Sequence, residues 1–251
     1  MAADVRMYVA SLNTAAATEL TLRTIRKYAG YPFDLFVGDS GSKDRSLKML
    51  RRFERAGWLE LEVAPRLRRH AEWLDQWVAT CPTRYAVFVD SDMEFLRPGW
   101  LAELVAVAER ERAALVASRI QLDERIKINA EGIRVRWAAR PSPWLMLVDI
   151  EQVRALEIDG ATVFGFRAEP DPEWPGGRLG YDTAAFFYAQ LVAQGMHVAT
   201  MPEGWPACYH HFGGMSEFRQ NPSSQPFRQQ KQAMKAVRVR FRLALARARG
   251  L

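Results

Sequence analysis

The stretch Tyr85–Leu96, YAVFVDSDMEFL, restricts the fold more than any other part of this chain. Tyr85, Ala86, Val87, Phe88 and Val89 form an unbroken apolar run rich in β-branched and aromatic side chains, the pattern of a buried strand. Two carboxylates, Asp90 and Asp92, stand at its end. If the extended backbone continues through Ser91, alternation with period two points both the same way. Aligned anions at the C-terminal edge of a parallel strand lie where open α/β sheets bind ligands. Their hard oxygen donors suit Mg2+ or Mn2+, which bridge substrate phosphates. The same residues also serve as solvated carboxylates in a loop, or as an acidic turn before a helix.

The chain around this run alternates strand and helix. Val5–Ser11 reads as a first strand, followed by a helix over 15–29 with Leu22, Ile25 and Ala29 at helical spacing and Gly30 as its stop. A second strand, Asp34–Gly38, ends in the polar run DSGSKD, and Leu47, Leu50 and Phe53 mark the next helix. Trp58–Val63 alternates apolar and acidic residues, as an edge strand does. Leu74, Trp77, Val78 and Cys81 give the helix before the central strand its apolar face, and Leu101, Leu104, Val105 and Ala108 do so for the helix after it. Ala113–Ser118 is a further strand. The expectation is an α/β fold, an αβα sandwich around a mainly parallel, Rossmann-like sheet whose polar strand ends gather along one edge.

Beyond residue 119 the pattern loosens. Ile128–Trp137 and Trp144–Asp149 read as strands and Glu151–Leu156 as a short helix. The run EPDPEWPGGRLG over 169–180 reads as loop because of its prolines and glycines. A helix is expected from near Asp182 to Gly195, then a strand over His197–Met201 and the aromatic run WPACYHHFGG.

Composition bounds the alternatives. A chain of 251 residues, 49% apolar and 25% charged, suits one soluble globular domain. No apolar run reaches the roughly 20 residues that span a bilayer, and MAADVRMYVASLN has no basic leader with a long apolar stretch. Cys81 and Cys208 match no zinc ribbon or redox motif, as expected of reduced thiols in a cytoplasmic protein. The net charge of +6 is uneven. From Arg219 to Leu251 there are nine Lys or Arg and no Asp or Glu, so the remainder is net acidic. That segment reads as a Gln/Pro-containing, mobile connection over 221–232 leading into an amphipathic helix. On it, Lys231, Lys235, Arg238 and Arg242 make a basic stripe beside Met234, Val237, Phe241, Leu245 and Ala248. Such a helix suits peripheral contact with an anionic membrane on its inner face, or docking on the protein's own acidic body or on a second subunit of an oligomer.

Four signals stand in a fixed order: the polar end of the first strand, DSGSKD after the second, DSD after the central strand, and Gly180-Tyr181-Asp182 opening a later helix. This order resembles the GT-A glycosyltransferases, specifically the large inverting family 2, over Val5–Gly214. The resemblance implies a metal-dependent transferase domain over 1–218, with a nucleotide-binding half over 1–119 and an acceptor-binding half over 120–218. It places the donor nucleotide on Ser11, Asn13, Asp39 and Ser42, and on Asp90 and Ser91 of the DxD motif. It implies Mn2+ or Mg2+ held by Asp90 and Asp92 with His210 or His211 completing the shell. Asp182 takes the position of the general base, with Tyr181 before it where the family usually has Glu. The donor implied is a nucleotide-diphosphate sugar, most commonly a UDP-sugar, and the acceptor a glycan, glycolipid or small molecule.

These residue types also have ordinary uses. Asp39 and Asp182 can cap helices, and His210 and His211 can be satisfied histidines. Other readings remain open at this point. A retaining GT-A transferase would use a different arrangement. A pyrophosphorylase-like nucleotidyltransferase needs a glycine-rich loop, which Leu12–Ala17 lacks, and a P-loop kinase fails likewise. A nucleic-acid-binding module would set DSD against phosphates, so no nucleic-acid partner is expected.

Overall fold

The computed structural model describes residues 4–121, 126–128, 132–154, 156, 163–215 and 226–251. In chain order the elements are β1 (Val5–Ser11), α1 (Ala15–Tyr28), β2 (Asp34–Asp39), α2 (Ser46–Arg55), β3 (Glu60–Val63), α3 (His70–Thr80), β4 (Tyr85–Asp90), β5 (Met93–Phe95) and α4 (Trp100–Glu111). Then come β6 (Leu115–Ala117), β7 (Ile120–Gln121), β8 (Ile126–Ile128), β9 (Arg134–Trp137), β10 (Arg140–Pro141), β11 (Leu145–Asp149) and α5 (Ile150–Val153). The last are β12 (Arg167–Pro170), β13 (Arg178–Tyr181), α6 (Ala185–Ala193), β14 (Val198–Thr200), a 3-10 turn at Trp205–Cys208, β15 (Tyr209–His211) and α7 (Pro226–Ala248).

A seven-stranded, mainly parallel sheet runs in the order β14-β6-β11-β4-β1-β2-β3, as the strand–helix alternation predicts. β3, read as an edge strand from its alternating acids, is the edge. The chain divides into two compact units, one of Met1–Arg68, Val89–Glu103 and Glu203–Leu251, the other of Arg69–Phe88 and Leu104–Pro202.

In the first unit, β1 pairs in parallel with β2, and β2 with β3. Gly30 closes α1 with φ +70°, and a Cβ there would lie 2.7 Å from the Gly99 Cα. Two backbones cross at that point, so glycine is required sterically as well as by its dihedral. The α1 helix does more than cover the sheet. Its threonines stand in for a strand beside β5: Met93 N–H donates to Thr21 Oγ1 at 3.1 Å and Phe95 N–H to Thr24 Oγ1 at 3.2 Å. The other edge of β5 pairs antiparallel with β15.

In the second unit an aromatic chain fills the core. Trp73 stacks on Trp77 at 5.1 Å, Trp77 on Phe88 at 6.3 Å, and Phe164 bridges Phe88 and Phe187 at 6.2 and 4.5 Å. Such pairs add about 0.5–1.5 kcal/mol each beyond the area they bury. Asp75 accepts the N–H groups of Val163 and Phe164, which fixes that bridging ring.

Five expectations need correction. β4 stops at Asp90, with a turn at Ser91-Asp92 before β5, so no extended run carries the two carboxylates. The stretch 169–180 is not all loop: its two ends belong to the antiparallel pair β12–β13. Pro170 is tolerated because β12 is the edge of a four-stranded sheet, β12-β13-β9-β8. Gly180 is needed because a Cβ would meet Val135 at 3.0 Å and Trp137 at 3.2 Å. The run from Ile128 to Trp137 holds the end of β8 and all of β9 rather than one strand. The helix expected from Asp182 begins at Ala185, after Ala184 with φ 67°. Of the expected mobile connection over 221–232, residues 221–225 lie outside the described residues, and 226–232 are already helix.

Candidate active site

Asp90, Asp92 and His211 converge in the first unit, with one ligand atom from each inside a 4.8 Å group. The backbone explains the convergence. The Ser91-Asp92 turn brings Asp92 back toward Asp90, and the β5–β15 register sets His211 opposite Met93, one residue from Asp92. His211 Nε2 lies 3.3 Å from Asp90 Oδ2 and 3.2 Å from Asp92 Oδ1. Asp92 is buried, its second oxygen accepting the Met215 N–H at 3.2 Å and its carbonyl accepting the Phe212 N–H. Burial, the largest single effect on His211, pulls its pKa down. The hydrogen bonds and charges of Asp90 and Asp92 outweigh it and push the group up to about 9. At neutral pH the imidazole is therefore a cation, and a metal ion taking that nitrogen would have to displace its proton.

The structure separates the two histidines. His210 faces Glu94 across the β15–β5 ladder, sits edge-on to Phe212 at 4.6 Å and is held below the usual histidine range by burial and then by Arg238. It does not join the carboxylates. Ser91 is turned toward α1, its Oγ 3.2 Å from Thr14 Oγ1, while its carbonyl lies 3.0 Å from Thr21 Oγ1. Through Thr14, Thr21 and Thr24, the α1 helix holds the whole loop that carries Asp90 and Asp92.

The other predicted binding residues cluster at the ends of β1 and β2. Asp39 is fully buried, with Oδ1 accepting the N–H groups of Gly41 and Ser42 at 3.1 and 2.8 Å. Its Oδ2 is buried with no partner among the described residues, an orphan acceptor. Asn13, at φ 54°, donates its N–H to Ser42 Oγ and accepts the Lys43 N–H at 2.7 Å. Ser11 is buried with its Oγ 3.3 Å from Thr18 Oγ1.

Asp182, in the second unit, is half-exposed. Oδ2 lies 2.7 Å from Arg140 Nη1, and Oδ1 accepts the Thr183 N–H at 2.7 Å. It does not cap α6, whose N-cap position is Ala184. A non-glycine residue held at positive φ is strained, here by roughly 1–2 kcal/mol. The strain sits two residues after Asp182.

Sequence reasoning missed the partners that order these residues: Thr21 and Thr24 behind the Asp90–Phe95 loop and Lys235 in the first unit, and Arg140 on Asp182 in the second. The Lys235 ammonium donates to Gly213 O at 2.7 Å, two residues beyond the end of β15. Threonines at 18, 21 and 24 were a legible signal, since polar residues three apart on an otherwise apolar helix face require partners.

A model of glycosyl transferase family 2 matches residues 8–165. The chain belongs to glycosyl transferase family 2, and is a glycosyltransferase. Among solved structures it is similar in fold to the mannosyltransferase PcManGT from Pyrobaculum calidifontis, solved with GDP-Man and Mn2+, at 17% identity and a TM-score of 0.56, over 99% of this chain and 75% of that one. It is also similar to S. aureus TarS 1–349, at 12% identity and a TM-score of 0.55, over 96% and 72%. Glucosyl-3-phosphoglycerate synthase from Mycobacterium tuberculosis, solved with Mn2+, UDP and glucosyl-3-phosphoglycerate, matches at 15% and 0.53, over 97% and 80%. These likenesses place the fold in the GT-A class. No curated protein matches the chain.

Proposed function

We propose that this enzyme transfers a sugar from a nucleotide-diphosphate sugar, a UDP-sugar in the first instance, to an acceptor hydroxyl, with Mn2+ or Mg2+ held by Asp90, Asp92 and His211. The carrying observation is that cluster: two carboxylates and one imidazole inside 4.8 Å. The donor set fits, because hard oxygen and imidazole ligands suit these ions, and the Met215 N–H orients one carboxylate from behind. Such an ion, when bound, neutralises the charge that develops on a departing diphosphate. The structural neighbours solved with GDP-Man and Mn2+, and with UDP and Mn2+, support the same reading.

Other residues divide the remaining work. Asp39, with one oxygen committed to the Gly41 and Ser42 amides and the other buried and unpaired, accepts a donor group of the nucleoside. Asn13 and Ser42, bonded to each other's segment, hold the wall of that pocket. Asp182 takes the proton from the attacking acceptor hydroxyl as general base. Its ion pair with Arg140 orients the carboxylate. Attack by the acceptor in a single displacement inverts the anomeric carbon. A glycan, glycolipid or small alcohol serves equally well as the hydroxyl source in this chemistry.

Calorimetric titration of UDP and of GDP, with Mn2+ and with chelator, tests the donor site. Binding is expected only with metal, and Asp92→Ala is expected to abolish the metal-dependent part. Equal affinity in both conditions refutes the metal centre. With an acceptor in hand, Asp182→Asn is expected to keep nucleotide binding and lose about 10²–10⁴-fold in transfer. Anomeric NMR of the product then reads inversion against retention.

A further inference from the structure

The outer side of α7 and the cleft beside it have the composition of a lipid-docking surface. The helix has two apolar faces. Val239, Leu243 and Ala246 are buried against Ala17, Leu20, Phe212 and Met215. Met234, Val237 and Phe241, at i, i+3 and i+7 on the other side, stay 67%, 65% and 63% exposed. An exposed ridge of three large apolar side chains along one helix is unusual on a surface that meets only water.

The charges beside the ridge are all of one sign. Arg238 and Arg240 border it on opposite sides, and α7 carries no acid. Arg240 also lines an open cleft of about 1040 Å3 together with Arg45, Lys48, Arg52 and Arg55 of the α2 region and Arg247 of α7. The acids of that cleft are committed. Glu19 is held by Arg23, Arg52 and Arg247, and Asp44 accepts the Ser46 N–H. Arg45, Lys48, Arg55 and Arg240 make no ion pair among the described residues. An apolar ridge flanked by uncommitted cations matches an anionic bilayer surface, whose acyl boundary takes the ridge and whose phosphates take the cations.

We infer that the α7 face formed by Met234, Val237 and Phe241, with the Lys48, Arg55 and Arg240 cleft beside it, docks this protein on anionic phospholipid. The proposal stands apart from the donor chemistry, and its test needs no activity. Each Lys or Arg near an anionic leaflet is worth about 1 kcal/mol, or roughly fivefold in partition, so three cations reversed in sign cost about a hundredfold or more.

The full chain is sedimented with vesicles of phosphatidylcholine alone and of phosphatidylcholine with phosphatidylglycerol, at low and physiological salt. The chain is expected to pellet with the anionic vesicles, less so as salt rises, and to stay in solution with the neutral ones. Two triple variants are compared: Met234→Ser with Val237→Ser and Phe241→Ser, and Lys48→Glu with Arg55→Glu and Arg240→Glu. Each is expected to lose at least about tenfold in vesicle binding while retaining its circular dichroism and its metal-dependent nucleotide binding. Equal pelleting with neutral and anionic vesicles overturns the proposal, as does no pelleting, or either variant binding like the parent. So does light scattering that shows a dimer dissolved by the serine variant, since a second copy then covers the ridge.

Discussion

Glu19→Gln tests how α7 is attached to the rest of the protein. Glu19 is a buried carboxylate on α1, only 4% exposed, that collects three guanidinium groups. Arg23 contacts it at 2.8 Å with its own side chain 16% exposed, Arg247 of α7 grips both oxygens, and Arg52 lies farther off at 3.4 Å. A hydrogen bond to a charged group contributes about 1.5–3 kcal/mol when buried, but an exposed pair only about 0–1 kcal/mol. Arg247 and Arg52 are each about half exposed, so the sheltered Arg23 contact sets most of the value. The expected loss is about 2–3 kcal/mol, or roughly 5–10 °C in Tm for a chain of this length. Burial, the largest effect on Glu19, raises its pKa, but the arginines outweigh it and hold the group below the usual glutamate range. A depressed carboxylate contributes stability above its unfolded pKa and loses it as pH falls through the folded one. The gap between parent and variant is therefore widest at pH 7 and closes below about pH 4.5. Urea unfolding across that range measures it, and amide exchange at Val239–Ala246 reports whether α7 loosens. A loss under about 0.5 kcal/mol, or a gap that stays constant down to about pH 3, refutes the reasoning.

Thr21→Val keeps the shape of α1 but removes the acceptor for the buried Met93 N–H, with an expected cost of about 1–3 kcal/mol and weaker Mn2+-dependent nucleotide binding, read by urea unfolding and calorimetry. Thr→Ser at the same position retains the hydroxyl and is expected to restore both. Burial pushes the Cys208 thiol up to about 12, and Cys81 is fully buried, so the folded protein is expected to resist a disulfide reagent that titrates two thiols after denaturation.

The elements that sequence read well are those whose signal is local. β1, β2 and β4 are short apolar runs with polar ends, and the sheet follows from their alternation with helices. Asp90 and Asp92 were found for an incomplete reason: they converge because the chain turns at Ser91, and turn geometry after a strand has no periodicity to read. α7 shows the same limit. Its apolar residues occupy two opposite faces, and helical spacing alone cannot say which one docks. Leu20 and Phe212, which decide it, are far away in sequence. The cations Arg242 and Arg247 looked unpaired within their own segment, whereas Glu94 and Glu19 pair with them from 148 and 228 residues away.

The α1 helix has no side left to adjust. One face carries Thr14, Thr21 and Thr24 against the loop of Ser91, Met93 and Phe95, and another carries Ala17, Leu20 and Glu19 against α7. Its end is pinned where Gly30 crosses Gly99. Inserting or deleting one residue between Ala15 and Thr24 would rotate everything before the change by about 100° relative to everything after it. Single substitutions in this segment remove the contacts of one side chain, but a change in its length would turn either the hydroxyls away from the Asp90–Phe95 loop or Glu19 away from α7. Among descendants of this chain, length variation should therefore accumulate in the loops and spare these ten residues.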